Sequence, residues 1–350
     1  MKNNVKLSII IPIYNAEKYI IPCLNAVFKQ GLDESSFEVI LVNDGTKDKS
    51  FLVINEIIKS HNNIIILEQE NQGQAVARNN GLKVANGQYI MMIDSDDLLV
   101  ENSLSPLLTV AVDKRPDLLV ANFLTKSDVE MTVDYHPNRN LEIIEKTGKE
   151  LFIEDLNPHE CFIWRTLYSR DFLKFNNICF FPGTSPYEDI PFTHECYLKA
   201  RKCLKTDWII YIYRRGQESS TFTKFTEKRA KEFCFAIAKT WALKYVTDLD
   251  EKAVKKIVDD VYTSFSVLMS LTCTSLDKNE ISRVYLYLRQ QIPDLFFNNG
   301  LKQYVISFVM KRYPFLFIRV RLLYAIIFEK KWMLHYYYRI RYKVLSYCLR

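Results

Sequence analysis

The sequence predicts an α/β protein: a mostly parallel, Rossmann-like sheet flanked by helices, followed by an α-helical C-terminal region. Three observations carry that prediction. Short apolar runs alternate with stretches of helical periodicity across residues 7–123. Five of the nine glycines (Gly31, Gly45, Gly73, Gly81 and Gly87) fall in that stretch, where strand–helix turns need them. From about residue 226 the strand pattern gives way to helical periodicity alone.

Residues 7–14 form a continuous apolar run, the mark of a buried parallel strand. Asn15 is expected to cap the next helix, whose apolar positions Ile20, Leu24, Val27 and Phe28 recur at helical spacing. Pro22 is expected to kink that helix. Residues 37–42 form a second strand, closed by the turn Asn43-Asp44-Gly45, and a helix from about Asp48 carries Phe51, Ile54 and Ile58. Residues 64–68 read as a strand, 73–85 as a helix, and 89–93 as a strand ending at Asp94. Residues 117–123 are another strand, and 124–145 read as irregular chain or short antiparallel strands. Residues 147–155 and 186–200 read as helices, with a strand at 208–213 after them. The clearest C-terminal helices are 227–249 and 250–276, the second capped by Asp250. In open parallel sheets ligands bind beyond the carboxyl ends of the strands. That rule selects the loops at Tyr14, Asp44, 69–73 and 94–97.

The composition is that of a folded protein. Of 350 residues, 48% are hydrophobic and 25% charged, which excludes a disordered chain. The eight cysteines form no C-x-x-C pair and no zinc spacing, so reduced, mostly buried thiols of a cytosolic protein are expected. No signal peptide is expected, because the first residues run straight into a strand.

Four motifs carry chemistry. Asp94-Ser95-Asp96-Asp97 follows an apolar strand, and two carboxylates two residues apart can share one Mg²⁺ or Mn²⁺. An acidic cap for the next helix is the structural alternative. A D-x-D of haloacid-dehalogenase type would follow the first strand and carry Thr or Val where Leu98 stands, which argues against a phosphatase. Asp44 faces the same crevice from the second strand and can accept a hydrogen bond from a base or ribose; an Asx-type turn is its plain reading. In the run 71–81 (NQGQAVARNNG), Arg78 rides a helix packed closely through small residues and could point back to a nucleotide or form a surface ion pair. Glu188-Asp189 opens a helix, where the dipole favours acids, and Asp189 is a candidate general base.

Together the four motifs resemble the family 2 glycosyltransferases of GT-A fold, inverting enzymes of cell-surface polysaccharide assembly. The likeness runs from about Leu7 to Thr223 and includes the phrases 8–17, 164–168 and 211–221. It implies a catalytic domain at 1–223. Residues 1–123 would be its nucleotide-sugar-binding half, and 124–223 its acceptor and base half. It implies roles as well. Pro12 and Tyr14 would line the nucleotide, Asp44 would bind the base, and Arg78 would help hold the nucleotide. Asp94, Ser95 and Asp96 would meet ribose and metal, with Asp96 the main ligand, and Arg214 or Arg215 would neutralise diphosphate. Asp189 would be the base with Glu188 beside it, and Trp164 either a sugar platform near the acceptor or a packed core residue. The implied reaction is metal-dependent transfer from a nucleotide-diphosphate sugar, UDP by default, to a glycan or lipid-linked hydroxyl, with inversion. Arg165-Thr166 departs from the Asn-Lys that often follows the Trp, which weakens inference about the acceptor. The competing readings are a nucleotidyltransferase, disfavoured because residues 12–17 lack Gly, and an inactive glycan-binding subunit, disfavoured by Asp96 and Asp189.

Residues 224–350 are expected to be a helical, basic and aromatic region. Residues 301–350 hold eleven Lys/Arg against one acid (Glu329) and thirteen aromatics, while the whole chain is only +6. No stretch is long and apolar enough to span a bilayer, so no transmembrane helix is expected. The reading favoured here is peripheral binding to an anionic inner leaflet from the cytoplasmic side. Packing on the catalytic domain is the alternative, and no nucleic-acid module is visible.

Overall fold

The computed structural model describes residues 5–127, 141–158, 160–215, 225–246 and 249–293. The chain divides into two units, one of residues 1–223 with 239–261, the other of 224–238 with 262–350.

The first unit is built on one sheet. Its parallel half has β1 (Leu7–Ile13) at the centre, paired with β2 (Phe37–Asp44) on one side and β4 (Tyr89–Met92) on the other. Beyond β2 lies β3 (Ile64–Gln69). All seven residues of β1 are buried, which accounts for its unbroken apolar run. Pro12 fits in this central strand because of where the ladder stops. The Ile10 carbonyl accepts from Ile93 N, so Ile10 and Pro12 turn their backbone groups toward β4, and pairing with β4 ends at Ile10. The missing N–H of Pro12 therefore breaks no sheet bond.

Helices connect these strands. They are α1 (Ile20–Phe28), the short α2 (Ser50–Val53) and α3 (Asn55–Ser60), and α4 (Gln74–Val84). Two expectations fail at α1. Asn15 does not cap it: Asn15 lies at φ 53, and Tyr19 is the residue before the first turn. Pro22 does not kink it either, because it is the third helical residue, where no intrahelical N–H is required.

The other half of the sheet is mixed. A two-residue strand β5 (Leu98–Leu99) leads into α5 (Leu104–Lys114) and the long β6 (Leu118–Ser127). Then come β7 (Ile144–Lys146), the single turn α6 (Gly148–Glu150) continued by a π turn at Leu151–Asp155, β8 (Thr166–Ser169) and α7 (Arg170–Phe175). After these come α8 (Asp189–Lys199) and β9 (Cys203–Arg215). The order across the sheet is β3-β2-β1-β4-β8-β6-β9-β5, with β7 also on β9. Here β8 is antiparallel to both β4 and β6, and β5 and β7 are antiparallel to β9. The sheet is thus wholly parallel in its first half and mixed in its second, where β6 and β9 still run parallel. The cause is β8, a four-residue strand that the sequence reading passed over and that wedges between β4 and β6. Strand β9 begins at Cys203 rather than 208, because Leu118–Val120 of β6 pairs with its first residues.

The second unit is helical among its described residues. It takes in the first part of α9 (Glu227–Ala242), the second part of α10 (Glu251–Ser275) and α11 (Lys278–Gln291). Asp277 opens α11 with a reciprocal capping box to Glu280. Glu227 joins α9 to α11 by accepting from Arg283 and also pairs with Lys231; the Arg283 and Lys231 bonds pull its carboxyl down to about 2. The basic stretch 301–350 lies outside the described residues.

Candidate active site

The site collects at the carboxyl ends of β1, β2 and β4. The loop after β1 leaves Tyr14 44% exposed, while Pro12 is buried one turn below it. This loop is tied to the one after β2. Asn15 N donates to Thr46 Oγ1, Ala16 N to Ser50 Oγ and Glu17 N to Asp48 Oδ2. Asp48 also accepts from Ser50 and Thr46, and these bonds overcome its partial burial to hold its carboxyl at about 2.

Asp44 is buried and organises the loop after β3. It accepts from Gln69 Nε2 (2.7 Å), Gln72 N (2.8 Å) and Gly73 N (3.0 Å). Gly45 is required beside it: φ is +65°, and a Cβ there would lie 2.8 Å from Asn71 N. Three accepted bonds leave a carboxylate with room for one more donor, the capacity a base N–H would use.

The 94–97 loop is fixed from β9. Asp94 N donates to the Tyr211 hydroxyl (3.1 Å), which donates to Asp97 Oδ2 (2.8 Å). Arg214 N donates to Asp97 Oδ1 (2.7 Å), and Arg214 Nε to the Asp96 carbonyl (2.6 Å). Asp97 is buried, and burial followed by the charges of Asp96 and Asp94 raises its carboxyl well above the ordinary range. Asp94, Ser95 and Asp96 are half-exposed. Asp97 is therefore the structural member of the acidic run, and Asp94 and Asp96 are its solvent-facing members. Asp97 was expected in the site loop without a role of its own, and Tyr211 only as part of the segment that closes the domain. Their only sequence signals were a third Asp and an aromatic residue in an alternating strand.

Two carboxylates are a small donor set. Among the described residues no three His, Cys, Asp or Glu side chains are grouped to hold a metal ion. The set fits a hard cation that completes its shell with water and phosphate oxygens, as Mg²⁺ commonly does, and does not fit an all-protein cage.

Arg78 joins three of the four motifs. It is 1% exposed, so it makes no surface ion pair. Its Nη2 donates to Asp94 Oδ1 at 2.7 Å, and its Nη1 lies between Glu188 Oε1 (2.5 Å) and Asp189 Oδ1 (3.4 Å). Burial works against its charge, but Asp94, Asp189 and Glu188 together hold its pKa above the ordinary value. Glu188, a weak candidate for an acceptor contact, is 1% exposed. The Asp189 side chain is 28% exposed. Its carboxyl is pushed well above the ordinary range by burial; Arg78 opposes the rise, and Glu188 and Asp94 add to it.

Two alternatives left open by the sequence are narrowed. Trp164 is 2% exposed and stacks on Tyr211 (4.1 Å) and Phe162 (4.7 Å), so it is a core residue without an open face for a sugar. Of the two arginines at the end of β9, Arg214 rather than Arg215 turns to the site. Arg214 bonds the acidic loop and lies 4.5 Å over the Tyr19 ring, while Arg215 is exposed at the strand end.

Comparison with known proteins gives a consistent picture. Residues 8–175 match the profile described as glycosyl transferase family 2. The uncharacterized glycosyltransferase EpsJ of Bacillus subtilis is 33% identical over 220 residues, covering 61% of this chain and 62% of EpsJ. A poly(ribitol-phosphate) beta-glucosyltransferase of Bacillus spizizenii is 27% identical over 62% of this chain and 34% of its own. The crystal structure of S. aureus TarS superposes with a TM-score of 0.64 at 19% identity, covering 90% of this chain and 54% of TarS. Its 1–349 fragment, solved with UDP-GlcNAc, gives a TM-score of 0.56 at 19% identity, over 89% of this chain and 92% of that one. The chain thus spans less than two thirds of EpsJ and of full-length TarS.

Proposed function

We propose, from the match of residues 8–175 to glycosyl transferase family 2, that this chain is an inverting transferase moving a sugar from a nucleotide-diphosphate sugar to a hydroxyl. The observation that carries the reading is the cluster around Arg78. It brings the donor-side Asp94 and the helix-opening Asp189 to one guanidinium, although they lie far apart in sequence. A donor carboxylate and a half-exposed carboxylate at one crevice are what a displacement at a sugar carbon needs.

In this reading Pro12 and Tyr14 flank the nucleotide, and Asp44 accepts from its base. Asp94 and Asp96, with Ser95 between them, face ribose and diphosphate, and Arg214 balances diphosphate charge. Asp94 and Asp96 would hold a divalent cation, Mn²⁺ or Mg²⁺, which neutralises charge on the leaving diphosphate. Asp189 takes the proton of the acceptor hydroxyl. The acceptor oxygen forms its bond to the anomeric carbon from the face opposite the phosphate, and the carbon–oxygen bond to phosphate breaks with its electron pair on the nucleotide. One carboxylate acting on the acceptor, with no covalent sugar intermediate, means inversion. A raised pKa brings that base closer to working pH.

UDP-sugars are the donor class to try first, since a protein of the same fold is solved with UDP-GlcNAc. The acceptor class is a surface glycan or glycoconjugate hydroxyl, in line with the poly(ribitol-phosphate) relative. We assign a cytoplasmic, peripheral location to the basic stretch 301–350; co-sedimentation with anionic vesicles at low salt tests it, and no binding overturns it. Among the described residues no helix is long and apolar enough to cross a membrane.

The deciding experiment follows melting and sugar release with UDP-GlcNAc and other sugar nucleotides, each with and without Mn²⁺. A metal-dependent rise in melting temperature with slow hydrolysis, lost in Asp96→Ala, supports the reading. Binding without turnover by any donor, unchanged in Asp189→Asn, would instead support an inactive glycan-binding or assembly subunit.

A further inference from the structure

Resemblance assigns Arg78 to the nucleotide, but its surroundings give it other work. Helix α4 is the seat of the segment that ends in Glu188 and Asp189. Asn79 makes a reciprocal pair with the Phe180 backbone, Nδ2 donating to its carbonyl (2.8 Å) and Oδ1 accepting from its N–H (2.9 Å). Ser185 Oγ accepts from Ala75 N at 3.2 Å, in the first turn of α4. Gly73 leaves room for that contact, since a Cβ there would sit 3.3 Å from Ser185 Oγ. The Phe180 ring lies 5.5 Å from the Arg78 guanidinium carbon. Between these anchors Arg78 holds Glu188 and Asp189 by one nitrogen and Asp94 by the other. A guanidinium that is 1% exposed and turned to three carboxylates does not face a ligand in solution.

We propose that Arg78 and Glu188 are positioning residues: a buried pair, seated on α4, that sets where the Asp189 carboxylate stands relative to the Asp94 donor loop, rather than contacts to nucleotide or acceptor. The proposal rests on the glycosyltransferase reading and deepens it. Glu188 takes one side of Arg78 Nη1 and leaves Asp189 the longer contact on the other, so Asp189 is steered without being locked in an ion pair. A base held in that way keeps its lone pair for a proton.

The test uses the full chain, Arg78→Lys and Glu188→Gln, with UDP-GlcNAc and Mn²⁺, or whichever sugar nucleotide the wild type turns over. Donor affinity is read by thermal shift, and kcat for sugar release is read across pH. Positioning predicts a kcat lowered about 100-fold in Arg78→Lys and about 10-fold in Glu188→Gln, with donor affinity within about threefold of wild type. It also predicts that the acid limbs of the two kcat profiles move in opposite directions. Weakening the Arg78 contact moves the limb to higher pH, and removing the Glu188 charge moves it to lower pH. A purely structural role would not give opposite shifts. Donor affinity lost tenfold or more with kcat retained would make Arg78 a nucleotide contact and overturn the proposal; so would two unmoved limbs. Should Arg78→Lys not fold, Glu188→Gln alone decides by its downward limb. A wild type that turns over no sugar nucleotide removes the enzyme reading and the proposal together.

Discussion

Helix α8 is held at its first residue by the Arg78 cluster and, one and a half turns further on, by a second buried group in which His194 meets Asp260. His194 Nε2 lies 3.0 Å from Asp260 Oδ2, and its Nδ1 lies 2.8 Å from the Ile190 carbonyl. Lys256 Nζ donates to both Asp260 oxygens at 2.7 and 2.8 Å. One carboxylate meets one lysine and one histidine, and each side-chain polar atom has a partner. The Arg78 cluster is the reverse: one cation faces three carboxylates, and Arg78 Nε and Glu188 Oε2 are buried without a hydrogen-bond partner. A cluster that closes on itself serves the fold, whereas one with surplus negative charge beside a half-exposed carboxylate is where a proton can be handled.

The largest expected effect tests that division directly. Asp189→Asn keeps the shape and removes the proposed base, so turnover should fall on the order of 1,000-fold. Because it also relieves three carboxylates sharing one guanidinium, its melting temperature should hold or rise. Nucleotide release and a melting curve check the two halves, and loss of folding would make the Arg78 cluster structural after all. Next comes Asp260→Ala, which strands Lys256 and should destabilise by about 3 kcal/mol, as breaking one partner of a buried pair does. Chemical denaturation reads that value. Folded Asp260→Ala should turn donor over at close to the wild-type rate, and a much larger kinetic loss would break the comparison.

A pH profile sharpens it. Burial raises the Asp189 carboxyl, and the base form is lost as pH falls through that raised value. The acid limb of kcat should therefore lie above the ~3.9 of an ordinary aspartate, and should vanish in the residual activity of Asp189→Asn. The smallest effect belongs to Asp48, a carboxylate held by bonds to neutral donors. Its folded value of about 2 lies below that of an unfolded aspartate, so it contributes stability above pH ~4 that is lost as pH falls toward 2. With partial exposure discounted, that amounts to on the order of 1–2 kcal/mol. Asp48→Asn should flatten that part of the stability curve measured by urea denaturation.

The parallel half of the sheet was legible because β1, β2 and β4 each carry a run of apolar residues and sit next to turn residues. The mixed half was not. Strand β8 is four residues long and borrows its register from β4 and β6, which are distant in sequence. At the site, Asp44, Asp94, Asp96 and Asp189 could be picked out by residue type at strand and helix ends. Trp164 could not be assigned, since a tryptophan near a crevice and one stacked behind it read alike. The bond between Asp97 and Tyr211 could not be read, because it joins residues 114 positions apart.

By itself, then, the sequence determined the strands of the parallel half, the longer helices and which carboxylates stand at their ends, because these follow from local periodicity and turn chemistry. Only the tertiary structure decided which of those carboxylates are buried, that Arg78 turns inward rather than outward, and that it meets Glu188 across 110 residues. Side-chain direction and long-range pairing are set by packing of whole elements, and periodicity within one element holds no record of its neighbour.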